Sequence, residues 1–149
     1  MAITTPPDSQ FRERVRASFA KQTIMATLGA SLERVEPGEA DIAFAWRADL
    51  VQQHGFVHAG VLATIMDSAC GYAAFTLMPA DAGVLSIEFQ THLLAPAAGT
   101  RFVARAKVVR AGRTITVVRA DALAIGETSD KLVATMTATM MCVTGGVTG

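Results

Sequence analysis

The chain has 149 residues, 51% hydrophobic and 17% charged, with a formal net charge of zero. That length fits one domain with a substantial core, and so little polar cover implies apolar surface hidden against copies of the same chain. Zero net charge without a basic run argues against a nucleic-acid partner, and the scattered Arg101, Arg105, Lys107, Arg110 and Arg113 read as a solvated sheet face.

Residues 1–8 end in "PPD" and read as a loose arm. Asp8 or Ser9 is placed to cap a helix starting near Gln10. Phe11, Val15 and Phe19, with Ile24, Met25 and Leu28 further on, form an apolar stripe opposite Arg12, Arg14 and Arg16, and Gly29 is a C-terminal stop. "ASLERVEPGEADIAFAWRADL" then alternates about a Pro37–Gly38 turn, with Ala40, Ile42, Phe44 and Trp46 on one face, which predicts a hairpin.

A polar stretch over Gln52–His58 leads into an apolar segment that runs to Met78 and predicts a helix beginning near His58 to Gly60. The helix is apolar almost all round, so it should be covered on nearly every side. Beyond "PADAG" come four strand-like runs, Val84–Leu94, Arg101–Arg110, Thr114–Ile125 and Lys131–Val143, separated by turn sequences. The glycine-rich tail, 144–149, reads as flexible. This order predicts an α+β fold, an antiparallel sheet curved around one apolar helix.

Cys70 and Cys142 lie far apart in apolar settings and read as buried thiols in a reducing compartment. "MAITTPPDSQ" lacks a signal-peptide pattern, and Asp67, Pro79 and Asp81 interrupt the apolar segment too early for a membrane span. A cytoplasmic protein with no membrane partner is expected.

Asp67 is the one acid in "HAGVLATIMDSACGYAAF". Burying an isolated carboxylate costs several kcal/mol, so it must pair, protonate or face a wet cleft. One reading is a structural Asp bonded to Ser68, Thr64 or loop backbone; the other is a general base or nucleophile. The helix start supplies free N–H groups suited to an oxyanion or carbonyl oxygen, and Ala59 and Gly60 are small enough to admit one. Asp67 lies seven residues past Gly60, about 10 Å along the axis, too far for one helix to serve one atom with both groups. Two antiparallel copies of the helix would bring one copy's start to the other's Asp67, giving composite sites, two per homodimer.

Other chemistry fits less well. His54 and His58 have metal-ligand spacing but no third ligand and no helix beneath them, so no metal is expected. Cys70 sits among apolar neighbours, which favours an inert thiol over a nucleophile. No phosphate loop or nucleophile elbow is present.

The stretch "QQHGFVHAGVLATIMDSACGYAA", followed by "LSIEFQTHLLAPA", resembles the hotdog-fold acyl-CoA thioesterases of the phenylacetate-degradation (PaaI-like) type. Those show an Asn, a short loop, Gly-x-x-His-Gly-Gly, a long helix containing Asp, and a strand ending in a Pro turn. The likeness covers roughly residues 30–143 and implies one hotdog domain over 9–143. It implies Asp67 as base or nucleophile, the Ala59 N–H at the oxyanion position, and Ser86 as a hydroxyl that helps place water. Gly55, His58 and Gly60 match the loop and helix start. Gln52 stands where many members have Asn, and Ala59 replaces the first glycine, which puts acyl preference in question.

The implied activity is hydrolysis of aryl-acyl or short to medium acyl-CoA thioesters, in a dimer or a tetramer built as a dimer of dimers, without a cofactor. Arg110 and Arg113 are candidates for contact with the CoA nucleotide. The alternatives are a non-catalytic acyl-CoA-binding hotdog protein and, less favoured for want of a helix histidine, a hotdog hydratase or dehydratase.

Overall fold

A computed structural model describes residues 2–147; Met1 and the last two residues of the expected tail, 148–149, lie outside the described residues. Helices α1 (Phe11–Ala20) and α2 (Thr23–Leu28) precede strands β1 (Ser31–Glu36) and β2 (Glu39–Ala45). The long helix α3 (Ala59–Phe75) follows, and then β3 (Gly83–Leu93), β4 (Arg101–Ala111), β5 (Ile115–Ala124) and β6 (Lys131–Val143). All pairings are antiparallel, in one six-stranded sheet of order β1-β2-β4-β5-β6-β3. This is the hotdog arrangement that the resemblance implies.

The sheet's inner face explains how it wraps a helix. Ala40, Ile42, Ala104, Ala106, Ala120, Ala122, Ala134 and Ala138 are all buried there, and small side chains let α3 sit close to the backbone. Larger groups fill the ends: Phe44 stacks on Phe102, its register partner, with ring centroids 5.3 Å apart. Trp46 does not join that face. The strand stops at Ala45, and the indole is exposed beyond it.

The first apolar stripe forms two helices rather than one. At Gln22 the backbone turns extended (ψ 99°), while the N–H groups of Lys21 and Gln22 close on Ser18 and Phe19 carbonyls. The break lets Phe11 and Val15 on α1, and Met25 and Leu28 on α2, each reach the core. The expected side-chain cap at α1 is absent; Asp8 Oδ1 instead accepts from the Gln10 N–H at 2.9 Å. Residues 2–8 form no helix or strand, and the Ile3 N–H donates to Ala111 O.

Arg14 fixes the far end of α3. Its guanidinium donates to the carbonyls of Phe75, Met78 and Pro79, stacks on the Phe75 ring and pairs with Asp8 at 2.8 Å. These contacts satisfy carbonyls that the helix end leaves open. Thr76, fully buried, accepts from the Gly38 N–H and donates to Ala73 O, tying the β1–β2 turn to the same end. Gly38 has φ +73°, which is why a glycine closes that turn.

Two surfaces stay open. On α3, Gly60 is exposed and Ala63, Thr64, Asp67, Ser68 and Gly71 are only half-buried, so one stripe lacks the cover that the apolar sequence predicts. Beside it, the edge strand β3 carries Phe89 and Leu93 on the face toward the helix, 45% and 58% exposed. No helix among the described residues is long and apolar enough to cross a membrane.

Replacing Arg14 with Ala should cost about 2–3 kcal/mol, since several charge-assisted hydrogen bonds are lost at a largely covered site. Denaturant unfolding at fixed protein concentration checks it, with Arg14→Lys expected to recover only part of the loss. A loss below about 0.5 kcal/mol, typical of an exposed pair, would contradict the clasp.

Candidate active site

The loop before α3 is a compact knot. Gln52 and Phe56 pair through Gln52 N–H to Phe56 O, the Gly55 N–H returns to Gln52 O, and the His58 N–H donates to Leu50 O. Gly55 has φ +85°, a conformation glycine adopts without strain. The Gln52 side-chain oxygen accepts from the His54 N–H, which leaves its NH2 group as a donor without a partner among the described residues.

His58 is the N-cap of α3. Its Nδ1 accepts from the Gly60 N–H at 2.8 Å, and its carbonyl takes the Val61 N–H. Ala59, the first helical residue, has an N–H with no backbone or side-chain acceptor among the described residues. A single uncommitted donor therefore stands at the positive end of the helix.

Further along α3, Asp67 is half-buried, and its Oδ1 accepts a 2.7 Å hydrogen bond from Ser86 Oγ on β3. The partner comes from β3, and neither Thr64 nor Ser68 takes that role: Thr64 bonds Gly60 O, and Ser68 donates to Gln22. Asp67 thus keeps an oxygen free toward a cleft. Next to it, burial and then the Asp67 charge push the Cys70 thiol up to about 12, so it stays protonated and unreactive at neutral pH. Cys142 is also raised, mainly by burial, and both cysteines are free.

Within one chain these groups occupy two separate clefts. One, of about 400 Å³, is lined by Asp67 and Ser86 together with Ser18, Lys21, Gln22 and Tyr72. The other, of about 510 Å³, is lined by Gln52, Ala59, Phe56, Leu62, Leu93 and Pro96 among others. Both open along β3, one near its start and one near its end. Gly55 and Gly60 shape the loop and helix start, and His58 is exposed at the cap.

Arg110 and Arg113 come to neither cleft. Arg110 lies beside a third hollow formed by Ala2–Thr4, the Gly38 turn and β4, and Arg113 is exposed in the β4–β5 turn. Among the described residues no cluster of three or more His, Cys, Asp or Glu forms a metal site.

Sequence reading missed Ser18, Lys21, Gln22 and Tyr72 as neighbours of Asp67. The available signal was the polar "KQ" pair interrupting the α1–α2 stripe.

The sequence pattern of the Thioesterase superfamily matches residues 54–129, a span that includes the start of α3, Asp67 and Ser86. A thioesterase family protein from Silicibacter pomeroyi, known from its crystal structure, is 49% identical. It covers 91% of this chain and 99% of its own, with a TM-score of 0.89. A Halobacterium salinarum protein whose name proposes an esterase is 31% identical over 112 residues, 72% of this chain and 74% of that protein. The Escherichia coli PaaI protein from the phenylacetic acid degradation operon shares the fold at 18% identity, with a TM-score of 0.82 over 93% of this chain and 97% of that one. On the family pattern and the curated relative together, this chain belongs to the thioesterase superfamily.

Proposed function

We propose that this protein hydrolyses acyl-CoA thioesters at sites shared between two copies of the chain. The observation that carries this reading is the division of one chemistry between two clefts. One holds the Ser86-bonded carboxylate of Asp67, and the other holds the free N–H of Ala59 and the amide of Gln52. Neither half activates water and stabilises an oxyanion by itself.

The edge strand β3 supplies a way to join them. If β3 pairs antiparallel with β3 of a second copy, centred on Gln90, Phe89 falls opposite Thr91 of the partner subunit, and Ser86, with the bulged Ile87 counted in the same position, falls opposite Leu93 of the partner subunit. That register sets each Asp67 cleft against the partner's Ala59 cleft and covers the exposed Phe89 and Leu93. The open α3 stripe, small at Gly60, Ala63 and Gly71, leaves room for a second helix. Leu85, Ile115 and Met141, neighbours across three strands on the outer face, offer a further apolar surface for a dimer of dimers.

In this site the thioester carbonyl oxygen accepts from the Ala59 N–H and the Gln52 NH2 of one subunit. Asp67 of the other takes a proton from water as its oxygen attacks the carbonyl carbon, while Ser86 holds the carboxylate in place. The tetrahedral oxyanion collapses, the C–S bond breaks, and the CoA sulfur leaves with the proton returned from Asp67. Direct attack by Asp67 to form a mixed anhydride, then hydrolysed, uses the same groups. Single-turnover reaction in oxygen-18 water tests the second route, because label enters Asp67 only when a mixed anhydride forms and water opens it at the Asp67 carbonyl.

The aryl-acyl or short to medium acyl range follows the family likeness, and two buried free cysteines fit a cytoplasmic setting. Arg110 and Arg113 would serve the CoA nucleotide only through further subunit contacts, since neither lies at a cleft of its own chain.

Asp67→Asn should lower kcat at least about 100-fold in a free-thiol release assay while the melting temperature holds, as expected for loss of a general base or nucleophile. Retained turnover would overturn the assignment; saturable acyl-CoA binding by the unmodified protein without any thiol release would favour a binding module.

Ala59→Pro offers a cleaner deletion of the oxyanion donor. Proline is well tolerated at the first helical position and lacks the N–H, and His58 before it already has an extended backbone (φ −60°, ψ 137°). A loss of about 100-fold in kcat with little change in stability is expected. Wild-type kcat in a folded Ala59→Pro protein would remove this N–H from the mechanism.

A further inference from the structure

The cleft beside Asp67 carries more hydrogen-bonding capacity than hydrolysis uses. Gln22 is held by two side chains of α3: its Oε1 accepts from Ser68 Oγ at 3.1 Å, and its Nε2 donates to the Tyr72 hydroxyl at 2.9 Å. Ser18 Oγ lies 3.3 Å from the same hydroxyl. An amide nitrogen has two hydrogens, so a fixed Gln22 still has one to offer. Lys21, adjacent in the chain, also lines the cleft, is exposed, and pairs with none of the described carboxylates.

The result is a surplus of donors, one of them a cation, in the same cleft as the reacting carboxylate. Tyr72 is five residues past Asp67, about 7.5 Å along the helix axis. A purely apolar acyl tip would strip water from these donors without replacing its hydrogen bonds. An anionic oxygen would accept from them, and Lys21 would offset its repulsion from Asp67.

We infer that the preferred acyl group ends in a carboxylate, making the substrate a monothioester of a dicarboxylic acid. Lys21 and Gln22 are its specificity-determining residues. This rests on the reading of the chain as an acyl-CoA hydrolase. A six-carbon chain, whose five C–C bonds of about 1.5 Å in a zigzag cover roughly 6 Å from the thioester carbon to the distal carboxylate, is the probe length.

The test compares hexanoyl-CoA, 6-hydroxyhexanoyl-CoA and adipyl-CoA by thiol release with the full-length protein. Adipyl-CoA should show kcat/KM about tenfold above hexanoyl-CoA, the scale of one charge-assisted hydrogen bond. The ratio should fall to about one in Lys21→Met, which keeps most of the stem, and below one in Lys21→Glu, with melting curves checking both folds. Equal rates on the three chains, fastest turnover of the neutral ones, or a ratio indifferent to Lys21 would overturn the dicarboxylate assignment while hydrolysis stands. No turnover of any of them would overturn the dicarboxylate assignment, and phenylacetyl-CoA proving inert as well would overturn both readings.

Discussion

A carboxylate on the central helix of a small domain has to be paired or reach water, and most of this structure can be traced to how Asp67 meets that demand. The Ser86 hydroxyl binds one oxygen at 2.7 Å, and the half-covered stripe of α3 leaves the other beside a cleft. Had the sheet closed fully over α3, that second oxygen would have had no cleft to face. The open stripe is thus what gives Asp67 access to a reactant, and it is also the surface a second helix would cover.

The same constraint orders the rest of the fold. Alanines on four strands hold α3 close on its covered side, while Arg14 and Thr76 pin its C-terminal end. His58 pins the other end by taking the Gly60 N–H, which leaves the Ala59 N–H as the donor at the helix start. A helix anchored at both ends keeps Asp67 and the Ala59 N–H at fixed positions, which the proposed chemistry requires.

Much of this was legible in the sequence. Alternation marked β2, strand-like runs between turn sequences marked β3 to β6, glycine and proline marked the turns, and the run from Val61 onward marked α3 to within three residues of its end. The Asp67-to-Gly60 spacing showed that one helix cannot serve one atom with both groups, before any coordinates. Other features were hidden because they depend on long-range packing. The α1–α2 break turns on Gln22 finding Ser68 and Tyr72, some 50 residues away in the chain. Trp46 shared the alternation of β2 but fell past its last paired residue, and nothing in the sequence marked β3 as the edge strand that the sheet order makes it. Apolar composition alone does not say whether its cover comes from the same chain or another.

Shared sites make one demand that a site within a single chain does not. When Asp67→Asn and Ala59→Pro proteins are each inactive, dissociating and mixing them should restore about a quarter of wild-type activity, because half of randomly formed dimers pair the two variants and each of those rebuilds one site of two. Recovery at that level is the expected result. A mixture that exchanges subunits yet stays as inactive as its parents would place Asp67 and Ala59 in the same subunit's site and contradict the shared arrangement.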